Sequence, residues 1–147
     1  MPDIGFTHVA LPVTSLQASI DFYGKYAGLQ VVHRREQDDD PERGIAWLSD
    51  RTRPFVLVLV ETDEVDAPLG PFAHLGVACP SRESVDQLCE AARAEGRLRR
   101  EPWDSESPAG YLAMLSDPDG HTLELSHGQE TGLAVESHSH PEPGADE

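Results

Sequence analysis

Cysteine is scarce in this 147-residue chain: it has two, Cys79 and Cys89, at a spacing that matches no zinc pattern. A disulfide framework is excluded, and both are expected to be buried thiols. No run of eighteen or more apolar residues occurs, so no membrane-spanning helix is expected. The N-terminal Met1-Pro2-Asp3-Ile4-Gly5 lacks the charged-then-apolar layout of a secretion signal, which makes a soluble cytoplasmic protein the expectation. Basic residues are few: 11 Lys+Arg against 27 Asp+Glu give a formal net charge of -16, which repels a phosphate backbone and argues against nucleic acid as a partner. Part of that charge falls in 36–42 and 130–147, segments that read as solvated surface and say little about a binding cleft.

With 38% hydrophobic residues, a chain of 147 residues buries one ordinary core and cannot support two large domains. The expectation is a single domain over 4–128, made of two similar modules at 4–62 and 72–128, followed by a flexible acidic tail over 129–147. In that tail His138 and His140 could catch a metal only loosely, because no third ligand is positioned beside them.

What is present is a repeat. Phe6-Thr7-His8-Val9-Ala10-Leu11 matches Phe72-Ala73-His74-Leu75-Gly76-Val77 at an offset of 66 positions. Each copy reads as a strand and is followed by a helix signal. Thr14-Ser15-Leu16-Gln17 offers a capping box, Leu16, Ile20, Tyr23 and Ala27 form an apolar stripe, and Gly28 is a stop. Strands follow near 30–35, 44–49 and 55–60. In the second copy, Ser81 caps a helix that turns Val85, Leu88, Cys89 and Ala92 inward and ends at Gly96. Strands then come near 97–101, 110–116 and 121–126. The fold class is α+β: two paired βαβββ modules forming a curved mixed sheet around a cleft.

Successive side chains of a strand point to opposite faces, and this parity sorts the candidates. His8 lies with Phe6 and Ala10, opposite Val9, Leu11 and Val13. His74 lies with Gly76 and Ala78, opposite Leu75, Val77 and Cys79. Glu124 lies with Thr122 and Ser126, opposite Leu123 and Leu125. In each strand the large aliphatic residues take one side and the ligand candidate the other, so His8, His74 and Glu124 are expected to face one cavity and hold one metal ion. Two imidazoles and a carboxylate suit a divalent cation of borderline hardness and leave positions open for water or substrate. Iron(II) would suit chemistry with dioxygen, and manganese, nickel or zinc would suit Lewis-acid chemistry. The set keeps a formal charge of +1, which favours an anionic ligand. The same offset carried back from Glu124 lands on Val58, so the first module has no carboxylate there; Glu61 has the opposite parity and should point away unless a bulge in the strand turns it toward the metal as a further ligand. His121, Tyr111, His33 and Asp104 are polar candidates for a general base, and none can be placed in the cleft from sequence. Trp47 and Trp103 read as pocket lining or core, Tyr23 as a packing residue, and Asp117-Pro118-Asp119-Gly120 as a tight turn.

The repeat words, together with Ser19-Ile20-Asp21-Phe22-Tyr23, Gly28-Leu29 and Asp117-Pro118-Asp119-Gly120-His121-Thr122-Leu123-Glu124, resemble the vicinal oxygen chelate superfamily over about residues 4–128. That group takes in glyoxalase, methylmalonyl-CoA epimerase, extradiol dioxygenases, fosfomycin-modifying enzymes and bleomycin-sequestering proteins. The resemblance implies paired βαβββ modules around a metal cleft, ligands at His8, His74 and Glu124, and a homodimer. The chain departs from each branch. Val58 stands where glyoxalase-like members carry a fourth ligand, Met114 where dioxygenases tend to place a tyrosine, and Ala10 where fosfomycin enzymes carry a threonine. The function expected is metal-dependent lyase, isomerase or ring-cleaving dioxygenase chemistry on a small substrate that chelates through adjacent oxygens. The alternatives are a non-catalytic drug- or metabolite-binding protein and a module whose sheets pair between chains. Selectivity would rest on the segments 61–71 and 102–108.

Overall fold

The computed structural model describes residues 2–37 and 40–138. The chain divides into two compact units, Met1–His74 with Ser116–Thr122, and Leu75–Leu115 with the segment from Leu123 onward. The first holds β1 (His8–Val13), α1 (Leu16–Ala27), β2 (Gln30–Gln37), β3 (Asp40–Ser49) and β4 (Val56–Glu61). They form a sheet of order β1-β4-β3-β2, with β1 parallel to β4 and the other pairs antiparallel. A parallel pair needs a crossover, which α1 and the β2–β3 hairpin supply.

The second unit repeats this plan with β5 (Leu75–Ala78), α2 (Arg82–Ala94), β6 (Leu98–Asp104), β7 (Tyr111–Ser116) and β8 (Thr122–His127), ordered β5-β8-β7-β6 with β5 parallel to β8. The βαβββ order expected from the repeat is therefore present twice, each copy with its own four-stranded mixed sheet.

Each core follows the strand parity. In the first unit Leu11, Val13, Leu57 and Leu59 are buried with Leu16, Phe22, Tyr23 and Tyr26 of α1. In the second, Leu115, Leu123 and Leu125 are buried, as are Val85, Cys89 and Ala92 of α2. Both cysteines are free and buried, and burial raises both thiols, Cys89 to about 11. The inward stripe of α1 differs from the one read from sequence: Ser19, Phe22 and Tyr26 are buried, while Ile20 and Ala27 are only half-buried. The helix is rotated toward its larger aromatic side chains, which bury more area per residue.

The start of α1 also differs. Its N-cap is Ser15, whose Oγ accepts from the Ala18 amide at 3.2 Å. Thr14 is drawn elsewhere: its amide and hydroxyl both donate to the Asp119 carboxylate, at 3.0 and 2.6 Å. Ser81 caps α2 as expected, accepting from the Ser84 amide at 3.0 Å. Gly28 and Gly96 take left-handed backbone at φ 67° and 70°, as stops require.

Several strands run longer than their sequence patterns. β2 runs on to Gln37 and β3 starts at Asp40, so both take in charged positions that read as loop; 38 and 39 lie outside the described residues. β6 reaches Asp104 and takes in Pro102, which an edge strand tolerates because one side needs no ladder donor. Beyond β8, α3 (Thr131–His138) occupies part of the expected tail and buries no residue. Its approach is tied down by the Glu130 amide donating to the Pro108 carbonyl at 2.9 Å and by Ser107 Oγ donating to the Glu130 carboxylate at 2.9 Å. His140 and the rest of 139–147 lie outside the described residues. No described helix is long and apolar enough to cross a membrane.

Gly110 has φ 86°, and a Cβ there would lie 2.4 Å from the His127 carbonyl oxygen. Backbone cannot yield as a flexible side chain would, so Gly110→Ala should cost at least about 2 kcal/mol, read as a lowered urea midpoint. An unchanged midpoint would show that the close approach relaxes freely.

Candidate functional site

The open face of the first sheet frames a cavity of about 610 Å³, lined by His8, Ala10, Trp47, Val56, Val58 and Val60 among others. This is the face that parity assigned to His8: along β1, His8 and Ala10 are exposed while Leu11 and Val13 are buried. In the parallel ladder His8 stands beside Val56 and Ala10 beside Val58, and Val58 faces Trp47 across β3. The floor is therefore apolar where a second acid could have stood. Thr7 Oγ1 lies 2.8 Å from His8 Nδ1 and holds the ring by its δ nitrogen.

His74 closes the first unit, just before β5. Its Nδ1 lies 2.7 Å from the Phe72 carbonyl oxygen. A carbonyl only accepts, so Nδ1 carries the proton and the neutral ring has its lone pair on Nε2, the form in which histidine ligates metals. Glu124 lies in the second unit on β8, paired in register with Gly76 and 6% exposed. A Cβ at Gly76 would sit 3.2 Å from Glu124 Oε2, so the glycine gives the carboxylate room on the face that parity assigned to both. The donors thus divide as His8 and His74 in one unit and Glu124 in the other. Among the described residues no group of three or more His, Cys, Asp or Glu side chains is gathered to hold a metal ion.

The other polar candidates are engaged in structural bonds. His121 is buried; its Nδ1 accepts from the Leu69 amide at 2.9 Å and its Nε2 donates to the Pro12 carbonyl at 2.7 Å. Both nitrogens are committed, which fixes one neutral tautomer and leaves no basic atom. Tyr111 donates to Asp86, a bond that pushes its phenol up to about 12. Asp104 accepts two bonds from the Arg82 guanidinium, at 2.6 and 3.0 Å, and these hold its carboxyl below the usual range. His33 packs edge-on against Trp47, with ring centroids 5.0 Å apart. Glu61 Oε2 accepts from the Leu16 amide at 2.7 Å, so this acid caps α1, in keeping with its parity.

Of the two tryptophans, Trp47 lines the cavity, whereas Trp103 is covered by the Arg100 guanidinium at 3.6 Å from its ring centroid. Sequence reasoning missed two other lining residues, Arg35 and Arg53. Arg35 pairs with Ile45 two positions along from the His33–Trp47 pair, a parity signal that was available. Arg53 stands in the β3–β4 turn, where periodicity carries no information. The Asp117 turn proves to be a buried hub. Tyr23 donates to Asp117 Oδ2 at 2.8 Å, while the amides of Asp119 and His121 donate to Oδ1 at 2.8 and 2.9 Å. Burial and the adjacent carboxylate both raise the Tyr23 phenol.

A family profile, described as the Glyoxalase/Bleomycin resistance protein/Dioxygenase superfamily, matches residues 5–125. An uncharacterized protein of Pseudomonas aeruginosa is 35% identical over 136 residues, covering 89% of this chain and 94% of that protein. A putative lactoylglutathione lyase of Brassica oleracea is 30% identical over 124 residues, covering 82% of this chain. The chain spans only 43% of that plant protein. Among solved structures, a possible glyoxalase from Bacillus cereus superposes with a TM-score of 0.61 at 25% identity, covering 84% of this chain and 99% of that one.

Proposed function

Because the chain belongs to the glyoxalase/bleomycin resistance protein/dioxygenase superfamily, we propose that it is a metal-dependent enzyme in which His8, His74 and Glu124 share one divalent cation. The substrate is a small molecule that chelates through adjacent oxygens, and the chemistry is of the lyase or isomerase type, the activity named for the Brassica relative. What supports the reading is His8 on the exposed side of β1 opposite buried Leu11 and Val13, His74 with its Nδ1 tied to the Phe72 carbonyl, and the Glu124 carboxylate in the space beside Gly76. The donor set suits zinc, nickel, manganese or iron(II). Such an ion, when bound, would polarise a substrate carbonyl and stabilise developing negative charge on its oxygen.

The chain's own residues supply orientation and exclusion of water. The Phe72 carbonyl sets the His74 tautomer, Thr7 holds His8 by its δ nitrogen, and burial keeps Glu124 from water. Val58 stands in the floor at the position equivalent to Glu124, and Glu61 is engaged by the Leu16 amide of α1, so neither adds a second carboxylate to the proposed set and its formal charge stays at +1. Turnover is tested by screening freshly purified protein, with and without each metal, against 2-oxoaldehyde–thiol adducts under nitrogen and against catechols in air. Metal-dependent isomerisation supports the reading; oxygen uptake with a catechol would replace it with the dioxygenase branch. Tight ligand binding by metal-stripped protein without turnover would favour a sequestering protein, the reading to which the apolar floor at Val58 lends weight.

We further propose residues 4–128 as the catalytic domain, a cytoplasmic location, and assembly as a homodimer. Phe6 and Phe72, equivalent in the repeat, are 93% and 92% exposed, and Ile4 is 88% exposed. Large apolar side chains so fully in water support a protein contact if they join into one patch. Replacing both phenylalanines, Phe6→Glu with Phe72→Glu, should weaken self-association at least about tenfold by removing two aromatic anchors, measured by sedimentation velocity across a dilution series. An unchanged distribution would remove these residues from the interface.

A further inference from the structure

We propose that the cavity on the first sheet is a subsite for an organic anion with an apolar body, its charged end held by Arg35 and Arg53 and its body lying on Trp47 and the β4 valines. This deepens the functional reading above, since it rests on the His8 cavity being where substrate lies. The first support is charge. Among the described residues, the lining carries two arginines, Arg35 and Arg53, against one acid, Asp3. These two guanidiniums are the Lys and Arg side chains among the described residues that line the cavity, and their forked donors match a carboxylate or phosphonate.

The second support is the floor. Val56, Val58 and Val60 alternate along β4 onto the cavity face, beside Ala10 and the 41%-exposed ring of Trp47. A wholly polar anion would gain nothing from that surface, whereas an aromatic or short alkyl body would bury against it. The volume of about 610 Å³ lies within the range of small-molecule sites.

The third support is the turn that presents Arg53. Asp50 Oδ1 accepts from the Thr52 amide at 2.9 Å and from its hydroxyl at 2.6 Å, and Arg53 Nε donates to the same hydroxyl at 3.2 Å. The Phe55 amide donates to the Arg53 carbonyl at 2.8 Å, and Arg51 takes left-handed backbone at φ 62° with its Nε donating to Gln30 at 2.8 Å. These bonds fix the turn before any ligand arrives, which lowers the ordering cost of binding.

The test uses metal-stripped full-length protein carrying Trp103→Phe, so that Trp47 is the sole fluorophore of its kind, titrated with 3-phenylpropionate and with its neutral amide. The acid is expected to bind at least about tenfold tighter than the amide and to weaken with added salt. Arg35→Gln with Arg53→Gln should erase that preference and leave amide binding within about twofold, because both side chains are exposed and their loss leaves the floor intact. Equal binding of the two probes, no binding of either, or a preference that survives the double substitution would overturn the subsite. Zinc titration of the same proteins separates the two readings. Zinc affinity kept in the double variant leaves the metal proposal standing whatever the probes do. If the wild type fails to bind zinc, nickel, manganese and iron(II) alike while the acid preference holds, the metal proposal falls and the anion subsite remains.

Discussion

Glu124→Ala should lower zinc or nickel affinity by more than about 100-fold, because losing even an outer partner of a ligand costs about 10–100-fold and this residue is proposed as a direct donor. The proposed ligand set would fall from three to two, and two imidazoles alone lack the charge to hold a +2 ion against water. The side chain is 6% exposed, so the substitution removes a buried carboxylate and opens space beside Gly76. Folding should survive: β8 keeps Leu123 and Leu125, its core contacts, and its ladder to β5. Isothermal titration with the metal, paired with circular dichroism, reads both effects. Undiminished affinity in a folded variant would remove Glu124 from the site, and Glu124→Gln, which keeps the volume and loses the charge, separates ligation from packing.

Asp117→Ala should destabilise the protein by about 3–5 kcal/mol, since three donors lose their acceptor together and each buried unsatisfied donor costs about 1–3 kcal/mol. Those donors are the Tyr23 hydroxyl and the amides of Asp119 and His121. The hub also sets the turn from which Asp119 reaches Thr14, so its loss should loosen the entry to α1. Tyr23→Phe is the milder companion: it removes one donor and leaves Asp117 with its two amide bonds, for an expected loss of about 1–2 kcal/mol. Urea unfolding of both variants checks the ranking. Equal losses, or a loss below about 1 kcal/mol for Asp117→Ala, would show that water replaces the bonds and that the hub is dispensable.

The turn residues Asp117 to Gly120 looked merely local in the sequence, and that is why the hub was not legible there. Its partner Tyr23 lies 94 residues away, and no window of periodicity spans that distance. Thr14 went wrong for the same reason: its local partner would have been an α1 amide, but Asp119, 105 residues on, takes its hydroxyl and passes the cap to Ser15. His121 read as a possible base because sequence shows a titratable ring and conceals the Leu69 amide and Pro12 carbonyl that consume it. What was legible depended on short-range geometry. Strand parity placed His8 and Ala10 opposite Leu11 and Val13, and put Glu61 on the side away from the cavity. The glycine stops and the Ser81 cap were legible because each is settled within one helical turn. Arg53 was beyond reach, since a turn has no repeating face to assign it to.

One cation held by two imidazoles and a carboxylate has a distinctive inner sphere, which X-ray absorption at the metal edge of protein reconstituted with zinc or nickel reads, with stoichiometry from elemental analysis. The prediction is one ion per chain, two imidazole nitrogens and at least one carboxylate oxygen in the inner sphere, and no sulfur. Failure to retain any of the four candidate metals, or an inner sphere with thiolate or a single imidazole, would contradict it.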